Sequence, residues 1–217
     1  RVIALAEATP EAVMIGHPLE RVDADGLQRG DNWPPRMPVG DLASSTARSG
    51  GHFFYPPTSG LAYRRTFLEQ VGPVPADLNF PDEYYSVLAS QLGLIAGTDD
   101  PLAVWRIHGQ NMMTSYRGTF EKMQRSRRNF EAVNQAANTA LERLGSSRRL
   151  DLTHHVPYQF LRRRMGDGLG FIGTVRLGLL HSADPSPVRR FKAVAKTVLT
   201  RPPAKQSSIS HRRGTLA

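Results

Sequence analysis

The spacing of apolar residues changes near residue 118, and this change limits the possible folds more than any other feature of the sequence. Before that point, short apolar runs such as 12–17 and 94–97 have the length of strands and alternate with turns. From Phe120 to Leu144, apolar residues recur at helical spacing for about seven turns. We therefore predict an α/β layer structure followed by an α-helical extension.

The same patterns predict the order of the individual elements. We predict helices over 1–8, 65–72, 81–93, 120–144, 152–165 and 187–200. We predict strands over 12–17, 52–55, 60–63, 94–97 and 102–108, with a turn at 23–26 and a loop over 28–51. The Pro-, Ser- and Arg-containing residues 201–217 are expected to be disordered. The predicted units are therefore 1–116, 117–200 and 201–217.

The composition excludes several kinds of site. The chain of 217 residues contains no cysteine, so disulfides and thiolate metal sites are absent. The longest apolar candidate for a membrane span, 166–183, is interrupted by Asp167 and Arg176. We find no signal-peptide pattern and expect a cytoplasmic protein. Because the chain begins with Arg1 inside a helical pattern, we also expect an upstream segment.

Charge is divided unequally between the two parts of the chain. Residues 1–117 carry nine Lys/Arg and thirteen Asp/Glu, a net charge of −4, whereas residues 118–217 carry nineteen and six, a net charge of +13. A helix over 187–200 would have apolar residues on one face and Arg190 and Lys196 on the other. Such a helix suits an anionic membrane surface, and it equally suits a basic face packed on the rest of the protein.

Four stretches occur in a distinctive order: EATPEAVMIGHPLERVDADG (7–26), TSGLAYRR (58–65), PDEYYSVLASQLGLI (81–95) and PLAVWRIHGQN (101–111). Asp82 opens the third stretch and Gly93 follows eleven positions later. Together the stretches resemble the C-terminal half of a family 2 glycosyltransferase with the GT-A fold, a Rossmann-like nucleotide-sugar transferase domain. The resemblance covers residues 1–115 and extends only loosely to the helical part.

The resemblance implies an inverting transfer of a sugar from a nucleotide-sugar donor to a hydroxyl of a glycan or lipid-linked acceptor, as in cell-surface polysaccharide synthesis. Asp82 matches the catalytic base of the family, and a carboxylate suits that role because it accepts the proton of the attacking hydroxyl. The family has Glu before this Asp, whereas Pro81 stands here, so Glu83 is a rival for the role. Both acids also suit the first turn of a helix for purely structural reasons.

The resemblance also implies contacts to the donor. Arg106 and His108 match the end of the family's Tyr-Arg-x-His-x-x-Asn strand, with Trp for Tyr, and alternation along a strand puts them on one face. Their side chains suit phosphate oxygens, and His108 is a weaker candidate for a metal ligand. Asn111 is expected to hold the following turn.

The short stretch Thr58, Ser59 and Gly60 is a further candidate for substrate binding. These residues would line the acceptor or donor pocket, with the glycine permitting close approach of the backbone. A plain turn after Pro56-Pro57 explains the three residues nearly as well.

Family members of this kind bind Mn²⁺ or Mg²⁺ through an Asp-x-Asp motif. Asp23-Ala24-Asp25 has that spelling, but it precedes Gly26 in a predicted turn and follows a polar run, so we interpret it as structural. The metal motif is then expected outside this chain, which alone would be inactive.

The competing interpretation is a non-catalytic basic module that binds an anionic membrane surface or nucleic acid. Nucleic acid is the less expected partner because no groove-reading motif or aromatic platform accompanies the basic residues. For the enzyme we expect a location on the inner face of the cell membrane, with the basic tail as the contact.

Overall fold

The computed structural model describes residues 1–108, 119–184 and 186–199, and these form a mixed α/β structure. The helices are α1 (Val2–Ala8), α2 (Ala43–Arg48), α3 (Arg65–Val71), α4 (Pro81–Leu92), α5 (Phe120–Arg143), α6 (Val156–Met165), α7 (Phe171–Leu180) and α8 (Pro187–Leu199). The strands are β1 (Ala12–Gly16), β2 (Leu19–Val22), β3 (Leu61–Tyr63), β4 (Leu94–Gly97) and β5 (Ala103–Arg106). Asn111 and the predicted disordered tail, 201–217, lie outside the described residues.

Two small sheets organise the first part of the chain. In the three-stranded sheet, β1 lies between β3, to which it is antiparallel, and β4, to which it is parallel. In the second sheet β2 and β5 are parallel, with Leu19 opposite Ala103 and Val22 opposite Arg106. The α/β class is thus confirmed, while the finer GT-A topology stays a prediction.

One hydrophobic core joins the sheet to the helices. Met14 of β1, Phe67 of α3, Leu88 of α4 and Leu141 of α5 are all fully buried in the same cluster. The long helix α5, which lies in the predicted helical extension, therefore packs directly against the α/β part. The boundary between 116 and 117 remains a prediction, but α5 does not stand apart from the core.

Residues 52–55, predicted as a strand, form no regular element. The two prolines that follow this segment have no backbone N–H to donate to a neighbouring strand. The His52 carbonyl oxygen accepts a hydrogen bond from the Ser49 hydroxyl, at 2.5 Å, rather than from a strand partner. The loop predicted over 28–51 contains α2, whose start is held by Asp41 Oδ1 accepting from the Ala43 amide at 2.9 Å. Neither prediction was correct, because both segments lack clear periodicity.

Two elements were missed altogether. The strand β2 has polar Glu20 and Arg21 between buried Leu19 and Val22, which hides the apolar pattern. The helix α7 contains two glycines, which weaken a sequence-based helix prediction. Among the described residues, no helix combines the length and apolarity that crossing a membrane requires.

Gly50 connects the α/β part to the C-terminal helices. Its φ of 66° lies in the left-handed region, and a Cβ placed on it would fall 2.9 Å from the backbone nitrogen of His155, the residue before α6. A side chain is therefore excluded by both the conformation and the space. This close approach holds the segment that precedes α6 against the α/β part.

Candidate active site

A cleft of about 450 Å³ lies between the α/β part and helices α5, α6 and α8, a size suited to a small ligand. Most of its wall is aromatic or aliphatic, and Trp33 and Phe54 meet edge to face with ring centroids 5.5 Å apart. The polar lining residues are His52, Asp82, Glu83, Ser126, Arg164 and Thr197. Aromatic faces of this kind accept the apolar faces of sugar rings or bases.

The first turn of α4 supplies both carboxyl groups of the cleft. Pro81 begins the helix, and Asp82 and Glu83 follow in its positively polarised first turn. They are the two acidic side chains on the described part of the cleft wall. The structure therefore brings the two predicted catalytic candidates into one cleft, although their roles stay predictions.

The environment of Glu83 differs from that of an ordinary surface carboxyl. Burial, followed by the negative charge of Asp82, raises the pKa of Glu83 from 4.5 to about 7. Asn129 Nδ2 of α5 donates a hydrogen bond of 3.1 Å to Glu83 Oε2, which opposes the increase in pKa. A carboxyl group with this pKa gains and loses a proton near neutral pH, as an acid–base catalyst must.

Tyr63 of β3 makes hydrogen bonds to the first turns of α4. Its hydroxyl lies 2.9 Å from Ser86 Oγ and donates to the Asp82 carbonyl oxygen at 3.5 Å. Burial raises the pKa of Tyr63 well above its usual value, so the phenol remains neutral. This contact fixes the backbone that carries Asp82.

Arg106 and His108 are placed differently from the carboxyl groups. Exposure alternates along β5, and the partly buried Trp105 lines the cleft while Val104 and Arg106 are exposed. His108, beyond the strand end, is exposed as well, and neither predicted diphosphate contact is among the cleft-lining residues. Their contact with a donor therefore stays a prediction.

Thr58, Ser59 and Gly60 form a 3-10 turn directly after Pro57, which lines the cleft. Thr58 and Ser59 are exposed, Gly60 is buried, and none of the three lines this cleft, which departs from the lining role that we expected. The turn has a structural reason, because a Cβ at Gly60 would fall 2.7 Å from the His17 carbonyl oxygen. A contact of these residues with another part of a substrate stays a prediction.

Asp23 of the Asp-Ala-Asp sequence is occupied by its own turn. Its Oδ1 accepts hydrogen bonds from the backbone amides of Asp25 and Leu27, each at 3.0 Å, and its Oδ2 lies 2.6 Å from an Arg29 guanidinium nitrogen. Within residues 1–108, 119–184 and 186–199, no group of three or more His, Cys, Asp or Glu side chains is placed to hold a metal. The described residues therefore do not fit a Mn²⁺ or Mg²⁺ site.

Comparison with known proteins adds a relative to this geometry. Over 156 residues, 70% of this chain, the sequence is 33% identical to a Nostoc sp. protein named as an uncharacterized glycosyltransferase. This chain is similar to a glycosyltransferase. It spans about half the length of that curated relative, 48%. No protein-family model and no solved structure matches the chain.

Substitution of Asp23 tests whether Asp23-Ala24-Asp25 is a structural turn or a metal-binding motif. We expect Asp23→Ala to lower the free energy of unfolding by more than the control variant does, because two backbone amides and Arg29 lose their acceptor. Any glycosyl transfer by the full-length protein should be unchanged. The exposed Asp25→Ala variant is the control, with a stability change within about 0.5 kcal/mol. Loss of transfer in both variants would instead indicate a metal motif.

Sequence reasoning missed several residues of the cleft region, among them His52, Asn129 and Arg164. For Asn129 a signal was present, because Ser126 and Asn129 lie at helical spacing from Val133 and interrupt the apolar face of α5. Polar residues on an apolar face need partners, and Glu83 is the partner here. His52 and Arg164 had no such signal, since their positions depend on how the C-terminal helices dock.

His52 and His155 form a neutral pair at the cleft, with ring centroids 5.3 Å apart. Burial lowers the pKa of His52 from 6.5 to about 4, and burial together with His52 lowers the pKa of His155 well below 6.5. His155 Nδ1 accepts from the Tyr158 amide at 3.2 Å, which caps α6.

The pair predicts acid sensitivity. The unfolded chain protonates His52 near pH 6.5 and the folded protein only near pH 4, so stability present above pH 6.5 is lost as the pH falls to about 4. For His52 the loss is about 3 kcal/mol. We expect His52→Leu to remove this part of the acid slope, measured by urea unfolding at pH 7.5 and pH 4. An unchanged slope would contradict the buried neutral imidazole.

Proposed function

We propose that this chain carries the acceptor side of an inverting family 2 glycosyltransferase with the GT-A fold. The enzyme would transfer a hexose from a nucleotide-sugar to a hydroxyl of a glycan or lipid-linked acceptor, in the synthesis of cell-envelope polysaccharide. The observation that supports this most is the pair Asp82 and Glu83, which opens α4 at an aromatic cleft beside Trp105. The similarity to a named glycosyltransferase agrees with it.

In this mechanism the acceptor oxygen attacks the anomeric carbon from the face opposite the diphosphate. The bond from that carbon to the diphosphate oxygen breaks, and its electron pair leaves with the nucleoside diphosphate. Asp82 takes the proton of the attacking hydroxyl as the new bond forms. Glu83, with a pKa near 7, is the alternative proton acceptor in the same turn. Trp33 and Trp105 would position the sugar ring.

Arg106 and His108 remain the proposed contacts for the diphosphate. Thr58, Ser59 and Gly60 remain proposed to contact substrate, at a point outside the cleft that Asp82 lines. A divalent metal, Mn²⁺ or Mg²⁺, would be held mainly by residues outside this chain, and His108 is at most an additional ligand. We also propose a cytoplasmic location, peripheral on the inner face of the cell membrane.

The experiment is a screen of nucleotide-sugars with the protein in its full length, including any segments that flank this chain. Release of nucleoside diphosphate is followed with candidate acceptors, with Mn²⁺ or Mg²⁺ present. We expect one donor class to give acceptor-dependent release. If no donor supports release and isothermal titration shows no nucleotide-sugar binding, the non-catalytic interaction module is favoured instead.

A further inference from the structure

Exposed apolar side chains are concentrated in the last helices that the structure describes. Of the twelve large apolar side chains exposed in that part of the chain, eight lie between residues 169 and 199. Six of them are more than 60% exposed: Phe171, Ile172, Leu180, Val188, Phe191 and Leu199. We call these six residues the apolar face. So many exposed large apolar groups in one hairpin mark an interaction surface.

The helix α7 contributes to the apolar face with the side that points away from the protein. Its inner side is Thr174, Leu177 and Gly178, all buried. A Cβ at Gly178 would collide with both Val194 of α8 and Phe160 of α6, so the three helices pack closely at this point. Phe171 and Ile172 start the same helix and stay 61% and 81% exposed, so the described part of the chain leaves them largely uncovered.

The helix α8 has a buried side, an exposed apolar stripe and a cationic stripe beside it. Val194 and Thr197 are buried. At 100° per residue, Val188, Phe191 and Leu199 fall within an arc of about 80°. A neighbouring arc of about 60° carries Arg189, Lys192 and Lys196. An apolar stripe bordered by cations is the pattern of a helix that lies in the plane of an anionic bilayer surface.

The charge around the apolar face is complementary to anionic lipid. Residues 162–199 carry eight Arg/Lys and two acidic residues, a net charge of +6. Both acids are already engaged, Asp167 with Arg127 at 2.7 Å and Asp184 with Arg189 at 3.1 Å. Little negative charge is therefore left on this surface to repel lipid phosphates.

Helix α8, together with α6, also borders the cleft. Phe160, Leu161 and Arg164 of α6 and Thr197 of α8 line it, as Asp82 does. A surface that holds α7 and α8 on a bilayer would therefore keep the cleft close to the lipid headgroups.

We propose that the apolar face and the cations beside it dock the protein on an anionic lipid bilayer. The cleft then lies on the protein side of α8, where Thr197 lines it, about one helix diameter (roughly 10 Å) from the lipid headgroups. Acceptors that the membrane carries would therefore be held near the cleft. The docking does not depend on catalysis, whereas the choice of a lipid-borne acceptor rests on the proposed transferase function.

The test is co-sedimentation of the full-length protein with phosphatidylcholine vesicles that contain about 30% or no phosphatidylglycerol. We expect at least roughly tenfold stronger binding to the anionic vesicles, reduced by salt. Replacing Ile172 and Phe191 by Gln should weaken this binding at least about tenfold. The matched control replaces Ile3 and Leu27, which are similarly exposed at 73% and 63%, and should bind like the wild type.

The electrostatic part has its own pair of variants. Arg176→Gln with Lys192→Gln should weaken binding to anionic vesicles about thirtyfold. Arg65→Gln with Lys122→Gln removes the same charge from other exposed positions and should have a much smaller effect. Circular dichroism and the melting temperature establish that each variant is folded.

Two results would overturn the inference. One is equal binding of the Ile172/Phe191 variant and its control. The other is a stable dimer, detected by light scattering, that the same variant dissociates, because the apolar face would then belong to a second copy. Transferase activity that persists on water-soluble acceptors after vesicle binding is lost would separate docking from catalysis.

Discussion

Replacing Asp82 with asparagine should lower kcat of the full-length enzyme by about 10³-fold and leave KM nearly unchanged. The amide has the shape of the carboxylate but cannot take the proton of the acceptor hydroxyl, and general-base catalysis contributes typically about 10²–10⁴-fold. The fold should survive, because the hydrogen bond from Tyr63 goes to the backbone carbonyl of Asp82, which the substitution keeps. Initial rates of nucleoside diphosphate release, with the melting temperature as a check on folding, give the measurement.

The variant has two comparisons. Asp77→Asn changes an exposed carboxyl outside the cleft and should leave kcat as in the wild type. Glu83→Gln tests whether Glu83 and not Asp82 is the base. We expect it to decrease kcat less than Asp82→Asn does. If Asp82→Asn retains full activity while Glu83→Gln loses it, Glu83 is the base.

Glu83→Gln should also stabilise the protein at alkaline pH, by about 3 kcal/mol at pH 8. The unfolded chain loses the Glu83 proton near pH 4.5 and the folded protein only near pH 7. Stability is therefore present below pH 4.5 and is lost as the pH rises to about 7. Glutamine resembles the protonated carboxyl, keeps the hydrogen bond from Asn129 and titrates in neither state.

The effect is measured as the difference in free energy of unfolding between wild type and Glu83→Gln, from urea unfolding at pH 4 and pH 8. A difference is needed because titration of His52 changes stability in the opposite direction over nearly the same pH range. The two curves should agree at pH 4 and separate at pH 8. Glu121→Gln, in the exposed first turn of α5, is the control and should shift stability by a few tenths of a kcal/mol. A variant no more stable than the wild type at pH 8 would contradict the raised pKa of Glu83.

Strongly periodic elements could be predicted from the sequence. Helix α5 follows the predicted spacing closely, because its apolar period matches one buried face. Helix α4 and strand β1 are buried on more than one face, and α4 begins at Pro81 and ends before Gly93 as predicted. Gly72, which Pro73 follows, ends α3 with a positive φ of 78°, at the end of the predicted helix 65–72. Asp82 and Glu83 were singled out because their stretch resembles the family 2 glycosyltransferases, in which an acidic residue opens a helix and a glycine follows eleven positions later.

The rest of the site depends on contacts between distant segments, which local patterns do not contain. Trp33, His52 and Arg164 meet in the cleft although more than a hundred residues separate the outer two. The raised pKa of Glu83 has the same origin, since burial beneath α5 and the partner Asn129 are both tertiary.

The turn at Thr58, Ser59 and Gly60 illustrates the same limit. Its three residue types suit a pocket wall and a plain turn equally, and the sequence alone could not separate these roles. The preceding prolines occupy the cleft wall, so the turn continues past it and leaves the Ser59 side chain exposed.

The most direct test of the central claim is the anomeric configuration of the product, read by proton NMR from the coupling constant of the newly linked sugar within the first turnovers. A single displacement with Asp82 as the base predicts a product whose anomeric centre is inverted relative to the nucleotide-sugar donor. A product that retains the donor configuration would contradict the account, because retention requires chemistry in which Asp82 does not act as a base for direct attack.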